Sequence, residues 1–269
     1  MPDPLLPPEP DSALSAVPAA GSRRGLPPAG VLKFFYGPMD CGKSTLALQL
    51  DYNHSRQGRR GLLLTKLDRS RRGQITSRMG LSKPAIEVDG DLDLRRLVRD
   101  CWAKGRRVDY VIADEVQFFS TEQIDQLAQL ADEAQLDVYA FGIATDFRSR
   151  LFPGSQRLFE LADEILPVQV EVLCWCGRPG RFNARVVNGA IVRHGATVVV
   201  ADTAETDAGT DADAADASGA NTPGSNGISG TDAAAPAEEH VRYQVLCRIH
   251  HRSGDLGPNA DTDPALPLG

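Results

Sequence analysis

VLKFFYGPMDCGKST, residues 31–45, decides the architecture. A short apolar run leads into a glycine-bounded loop, and the loop leads into a helical pattern that continues to about Gln57. Gly37 to Ser44 satisfies G-x-x-x-x-G-K-[ST], with Thr45 following. The chemistry behind that spacing is specific. A buried strand must end, a glycine-containing loop must turn its backbone N–H groups toward phosphate, and a helix must begin with its positive end facing the same charge. The whole stretch Gly37, Pro38, Met39, Asp40, Cys41, Gly42, Lys43, Ser44 and Thr45 is therefore expected to cradle ATP. Lys43 would reach the β- and γ-phosphates, and the Ser44 hydroxyl would hold Mg²⁺. Cys41 is a small side chain tolerated within the loop.

Outward from this loop, strand-like and helix-like segments alternate. Gly61–Thr65, Tyr110–Asp114 and Val138–Ile143 read as buried strands, and Leu92–Lys104 reads as an amphipathic helix. Ser120 reads as the N-cap of another helix, with Gln123 in the capping-box position. The alternation predicts a P-loop NTPase type of α/β fold, a parallel sheet flanked by helices on both faces. After Glu164 the texture changes to short β-like runs, ILPVQVEVL, RFNARVV, TVVV and VRYQVL, which bracket cysteines and predict a small β-rich subdomain.

VIADE (111–115) ends a strand in two carboxylates. After a P-loop, Asp114 is placed to bind Mg²⁺, and Glu115 to take a proton from the attacking oxygen. Water as that oxygen would make the chain an NTPase, and a substrate hydroxyl would make it a kinase. A second constellation is Cys174-Trp-Cys176 followed much later by Cys247-Arg-Ile-His250-His251. Two ligands from each of two loops can complete a structural Zn²⁺ site. His250 is the expected fourth ligand and His251 the runner-up. Cys101 reads as a helix core residue, and His54 and His194 receive no role.

Composition bounds the rest. The five cysteines are odd in number and scattered, which is not a disulfide framework. No apolar run approaches the roughly 18 residues that span a bilayer. MPDPLLPPEP has an acidic start and no apolar core, so no secretory signal is expected, no membrane partner, and a cytoplasmic location. Residues 1–30 hold eight of the eighteen prolines and are expected to be a disordered arm. The stretch 203–239 has no Lys, Arg or aromatic residue, and the tail 253–269 is similar in texture. The net charge of −7 is unevenly spread. Residues 201–239 carry nine acidic residues and no basic one, the tail three and none, and residues 1–30 a net −1, which leaves +6 on the remainder. The part expected to bind polyanionic ATP is cationic.

Taken together, GPMDCGKST (37–45), DEVQFF (114–119), TDFRSRLF (145–152), CWCGRPGRFNAR (174–185) and YQVLCRIH (243–250) resemble the type II, zinc-containing thymidine kinases. The resemblance covers residues 31–202 and 240–252. It implies a kinase domain at 31–168 and a zinc-binding lasso subdomain at 169–252 that contains the acidic insertion 203–239. It implies ATP:thymidine 5′-phosphotransfer for nucleotide salvage and DNA precursor synthesis, with Glu115 as the catalytic base. By the same resemblance Gln117, Phe118, Phe147, Phe152, Asn183 and Tyr243 meet the nucleoside, and Cys174, Cys176, Cys247 and His250 hold structural Zn²⁺. Arg185 and the basic segment Lys66–Arg78 are expected to meet phosphate charge. The resemblance further implies a homotetramer and feedback inhibition by dTTP, and leaves deoxyuridine open as a second substrate.

Three features depart from the family pattern. The first cysteine pair encloses one residue where two are usual, Val200-Ala201-Asp202 replaces glycines of the lasso, and Asn183 stands where Thr is frequent. The insertion is expected to bulge from the lasso tip at little entropic cost, because closure entropy grows only logarithmically with length. A nucleic-acid-dependent ATPase with a zinc ribbon is the alternative reading. It lacks the aromatic–basic interleaving of a single-strand groove, and no nucleic-acid partner is expected.

Overall fold

The strand that carries the phosphate loop, β1 (Leu32–Tyr36), leads in the computed structural model into α1 (Lys43–Arg56). The structure describes residues 29–66, 73–195 and 241–258. The proline-rich arm up to residue 28, residues 67–72 of the basic segment, TVVV, the acidic insertion with the Val200–Asp202 lasso positions, and the end of the tail lie outside these residues. After α1 come β2 (Gly61–Thr65), β3 (Gln74–Thr76), β4 (Ser82–Pro84), β5 (Ile86–Glu87), α2 (Leu94–Ala103) and β6 (Tyr110–Ala113). A 3-10 turn (Val116–Phe118) precedes α3 (Thr121–Ala134), β7 (Asp137–Gly142), α4 (Pro153–Leu161) and β8 (Glu164–Pro167). The remaining elements are β9 (Phe182–Val187), β10 (Ala190–Val192), β11 (Val241–Leu246) and α5 (Arg248–Ser253).

The main sheet has six strands in the order β5-β2-β6-β7-β1-β8, with every pairing parallel. Its central strands are apolar because helices cover both faces. Leu32, Phe34, Val111, Ala113, Val138 and Ala140 face one side, with Leu127, Val98 and Leu158 of the helices. Leu63, Ile112, Tyr139 and Phe141 face the other, against Ala47 and Leu48 of α1. Full burial of an aromatic such as Phe34 contributes about 1.5–3 kcal/mol relative to exposure.

The expected strands and helices form with small shifts at their ends. Ser120 caps α3 as a capping box: its Oγ accepts from the Gln123 N–H at 3.1 Å, and Gln123 Oε1 accepts from the Ser120 N–H at 3.2 Å. α2 starts two residues after Leu92 because Asp93 is its cap, accepting the Arg96 N–H at 2.9 Å. α4 has no counterpart in the sequence reading. It begins Pro-Gly and has no side-chain cap, and that pair reads equally as a turn.

The first β-like run after Glu164 does not belong with the small subdomain. Glu164–Pro167 is the edge strand β8 of the main sheet, pairing with Lys33–Tyr36. Asp163 sets the register: its carboxylate accepts from the Leu32 N–H at 2.8 Å and its own N–H donates to Leu32 O at 2.9 Å. The small subdomain itself is a three-stranded antiparallel sheet, β10-β9-β11, followed by α5. β9 is buried on both sides, and its side chains alternate. Ala184 and Val186 join Cys174, Leu246, Cys247 and Leu256 in a small core. Asn183 and Arg185 point the opposite way, toward the main body.

Candidate active site

The phosphate loop connects β1 to α1 at the C-terminal edge of the sheet, the usual ligand edge of open α/β folds. Gly42, the residue before α1, has φ 78°, a left-handed conformation that suits glycine, and the Leu46 N–H donates to its carbonyl at 3.0 Å. The helix therefore starts with its free N–H groups facing the loop. Lys43 is buried, and its Nζ donates to Pro38 O at 2.7 Å. Cys41 is fully buried beside it, its thiol raised by burial with Lys43 pulling the other way. Asp40, itself at φ 66°, pairs with Arg78 at 2.7 Å, so the loop's acid carries its own counter-charge.

The second half of this centre comes from the end of β6. The Ser44 hydroxyl donates to Asp114 Oδ2 at 2.7 Å, which joins the loop to the acidic strand end. Asp114 is almost wholly buried. Burial, and then the neighbouring Glu115 charge, push its carboxyl well above the usual carboxylate range; the Ser44 hydroxyl and the Glu115 N–H, which donates at 3.0 Å, oppose this. A buried carboxylate next to a hydroxyl is short of positive charge. That donor set fits Mg²⁺, a hard cation that prefers oxygen ligands.

Glu115 adopts φ 57°, uncommon for a non-glycine residue and a feature of functional turns. Gln117 stabilises it: the Gln117 Nε2 donates to Glu115 Oε2, and its Oε1 accepts from the Ile143 N–H at 3.1 Å. Gln117 is buried and lies behind Glu115, outside the lining of the neighbouring cleft. The end of β7 allows this. A Cβ on Gly142 would come within 2.8 Å of Gln117 Oε1.

Beside the acidic pair is a narrow cleft lined by Met39, Phe118, Ile143, Thr145, Asp146, Phe147, Phe152, Asn183 and Tyr243. Five of the six expected nucleoside contacts are thus brought together from segments far apart in sequence, and Gln117 is the exception. Phe118 and Phe152 meet edge to face at 5.7 Å. Arg185 is buried at the base of this cleft, with its guanidinium 3.9 Å from the Phe147 ring centre and its Nε donating to the Tyr243 hydroxyl at 3.1 Å. Its stacking on the aromatic walls differs from the expected contact with phosphate. The period-two alternation N-A-R in β9 is the signal that places Asn183 and Arg185 on one face. Thr145, Asp146 and Ile143 were not singled out. Asp146 folds its loop by accepting from the Arg148 and Arg150 N–H groups, each at 2.9 Å. A cavity of about 930 Å³ lies elsewhere, between the end of α1, the start of β2, residues 83–86 and the turn at 105–107, and contains none of these residues.

Cys174, Cys176, Cys247 and His250 converge, with their ligand atoms all within 4.8 Å of one another. Cys174 Sγ is 3.3 Å and Cys247 Sγ 3.6 Å from His250 Nδ1, and Cys176 Sγ is 4.0 Å from Cys247 Sγ. A tetrahedron with Zn–S bonds of about 2.3 Å has S···S edges near ~3.8 Å. The spacing therefore fits zinc, and the single residue between the first two cysteines is compatible with it. Gly177 in a left-handed turn brings the chain back, its N–H donating to Cys174 O at 2.8 Å. Backbone N–H groups of His250 and Ile249 point at the Cys247 sulfur and lower its pKa. Trp175 stacks on the His250 ring at 4.2 Å. His251 is not part of the cluster.

A family model described as thymidine kinase matches residues 30–205. The thymidine kinase of Streptomyces coelicolor is 48% identical over 221 residues, which is 82% of this chain and 88% of that protein. The thymidine kinase of Cutibacterium acnes is 45% identical over 226 residues, covering 84% and 90%. That of Legionella pneumophila is 38% identical over 172 residues, covering 63% of this chain and 81% of the relative.

Proposed function

The chain belongs to the thymidine kinase family, and from that premise we propose that it transfers the γ-phosphoryl group of ATP to the 5′-hydroxyl of thymidine. It is an ATP-dependent nucleoside kinase. The observation that carries the substrate reading is the double position of Met39, which belongs to the phosphate loop and also walls the aromatic cleft. A nucleoside in that cleft would have its 5′ end next to the triphosphate. The nucleic-acid-dependent ATPase alternative drops out with the family.

Glu115 takes the proton of the 5′-hydroxyl as its oxygen bonds to the γ-phosphorus. The bond from that phosphorus to the β–γ bridging oxygen breaks, and ADP departs with the electron pair. Gln117 holds the carboxylate in position through its amide. The loop N–H groups and Lys43 carry the phosphate charge, and the work is mostly positioning and charge stabilisation. The Ser44 hydroxyl and Asp114 would hold Mg²⁺, which would neutralise phosphate charge. Cys174, Cys176, Cys247 and His250 would hold a structural Zn²⁺. Phe118, Phe147, Phe152 and Tyr243 wall the base, and Asn183 meets the cleft where it joins the loop. The family resemblance also supports a homotetramer, inhibition by dTTP, a cytoplasmic location and a place in deoxynucleoside salvage. Among the described residues no helix is long and apolar enough to cross a membrane.

The test is a nucleoside panel phosphorylation assay with Glu115→Gln as the control. We expect thymidine-dependent ADP release. The variant should still bind ATP and thymidine but turn over about 10²–10⁴-fold more slowly. ADP release that ignores thymidine would defeat the substrate reading, and near-normal turnover of the variant would remove Glu115 from the mechanism.

A further inference from the structure

His251 directly follows a metal ligand, yet its ring takes no part in the metal cluster. It is 3% exposed, and its Nε2 lies 3.0 Å from the backbone carbonyl of Phe147. A carbonyl only accepts, so Nε2 carries a proton and donates it. The contact joins residues 104 positions apart: α5, which follows the metal ligand Cys247, and the loop that carries a wall of the nucleoside cleft. Phe147 belongs to no strand or helix; backbone bonds such as Asp146 N–H to Arg150 O at 2.8 Å close its loop, and contacts from the small sheet and α5 fix Phe147 itself. Its carbonyl is held by His251, and its ring face by the Arg185 guanidinium. The far end of α5 is tied down as well. Arg193 donates to the carbonyls of His251 and Arg252, the latter at 3.0 Å. The Phe182 ring packs against the imidazole at 5.3 Å.

We propose that His251 is a positioning residue for the nucleoside: its hydrogen bond to the Phe147 carbonyl couples the metal-held helix to the aromatic wall of the cleft. The proposal rests on the reading of that cleft as the thymidine site. It gives the second histidine of the Cys-x-x-His-His run a task distinct from metal ligation. It also gives the metal site a defined mechanical link to substrate affinity, through one side chain.

The test uses the full-length, zinc-loaded protein. His251→Phe keeps an aromatic ring against Phe182 but removes the donor. His251→Gln retains an N–H near the position of Nε2, whereas His251→Asn is too short to reach the carbonyl. Loss of one such bond should raise the thymidine KM, and the thymidine Kd measured calorimetrically without ATP, by roughly five- to tenfold. Zinc content, the ATP KM and kcat within about twofold should stay as in the parent, and His251→Gln should restore most of the affinity. If His251→Phe gives no soluble protein, His251→Asn carries the same expectation. Unchanged thymidine affinity overturns the proposal. So does loss of zinc, which would make His251 a ligand, or a parallel rise in both KM values, which would make its role generally structural. A parent enzyme that fails to phosphorylate thymidine would instead sink the substrate reading, so the two failures are distinguishable.

Discussion

The two halves of the site are built by different means. The phosphate half comes from two continuous segments, residues 37–45 and 114–118, at the ends of β1 and β6, which lie on either side of β7 in the sheet. Each segment follows a buried strand locked by parallel backbone pairing, so its geometry comes with the sheet. The nucleoside half takes its walls from Phe118, the loop of Phe147 and Phe152, and two strands of the small sheet. That small sheet has little apolar core, and two of its six buried core residues, Cys174 and Cys247, are in the metal cluster. A hydrogen-bonded ladder preorganises one half, and a Cys/His cluster able to hold a metal would preorganise the other. Phosphate binding should therefore tolerate damage that destroys nucleoside binding.

The strongest way to break this contrast is to remove a metal ligand. Cys247→Ser should lower zinc content well below one per chain and reduce thymidine phosphorylation by at least about 100-fold. Structural zinc contributes on the order of 10 kcal/mol to small folding units, far more than the small core could replace. Binding of ATP with Mg²⁺, measured by calorimetry, should stay within about threefold of the parent because the ladder is untouched. Loss of ATP binding in step with thymidine turnover would mean that the halves form one cooperative unit.

A second test sharpens the phosphate side through Asp114. Its carboxyl is raised above the unfolded value, so the folded, ligand-free protein holds that proton more tightly than the unfolded chain does. The resulting stabilisation is present below the unfolded pKa and is lost as pH rises through the raised folded value. Asp114→Asn removes this loss, and the Ser44 hydroxyl can rotate to accept from the new amide. The variant should therefore melt above the parent at pH 8, by about 3 °C or more if one pKa unit is relieved, with the gap closing toward pH 4. Activity should fall by orders of magnitude, and ATP with Mg²⁺ should no longer stabilise the variant. A lower Tm at pH 8 would show that the buried charge is already compensated in the ligand-free fold.

The same contrast governs what could be read from the sequence. The phosphate half was legible because its signals are local: an apolar strand, a loop of fixed spacing and a helix start, with Ser120 and Gln123 marking α3 as they cap it. The convergence of Cys174, Cys176, Cys247 and His250 was legible from residue type, since few side chains other than Cys and His make such a set. The placement of Gln117 behind Glu115, the stacking of Arg185 on Phe147 and the membership of Glu164–Pro167 in the main sheet were not legible. Each depends on which distant backbone comes alongside. A parallel edge strand like β8 is short and largely exposed, so its own pattern says little about its partner. The bond from His251 to Phe147 has no sequence signal beyond a second histidine in a row.

The smallest expected effect probes a hydrogen bond that crosses directly from the small sheet to the phosphate loop. Asn183, 4% exposed, accepts the Met39 N–H at 2.8 Å. Met39 belongs to the loop and also walls the cleft, so this bond joins the two halves at the point where the reacting groups would meet. Asn183→Ala leaves a partly buried N–H without its acceptor, a cost of about 1 kcal/mol, or roughly fivefold. If the halves are coupled there, the ATP and thymidine KM values should both rise by about three- to tenfold, unlike the thymidine-only shift expected for His251→Phe. Combining the two substitutions then reads their independence. The contacts share no residue, so the thymidine effects should multiply to within about twofold. A rise confined to thymidine in Asn183→Ala would make Asn183 a wall of the cleft alone and leave the phosphate loop held entirely by its own sheet. A rise confined to ATP would assign it to the loop and leave the nucleoside half dependent on the metal and on His251.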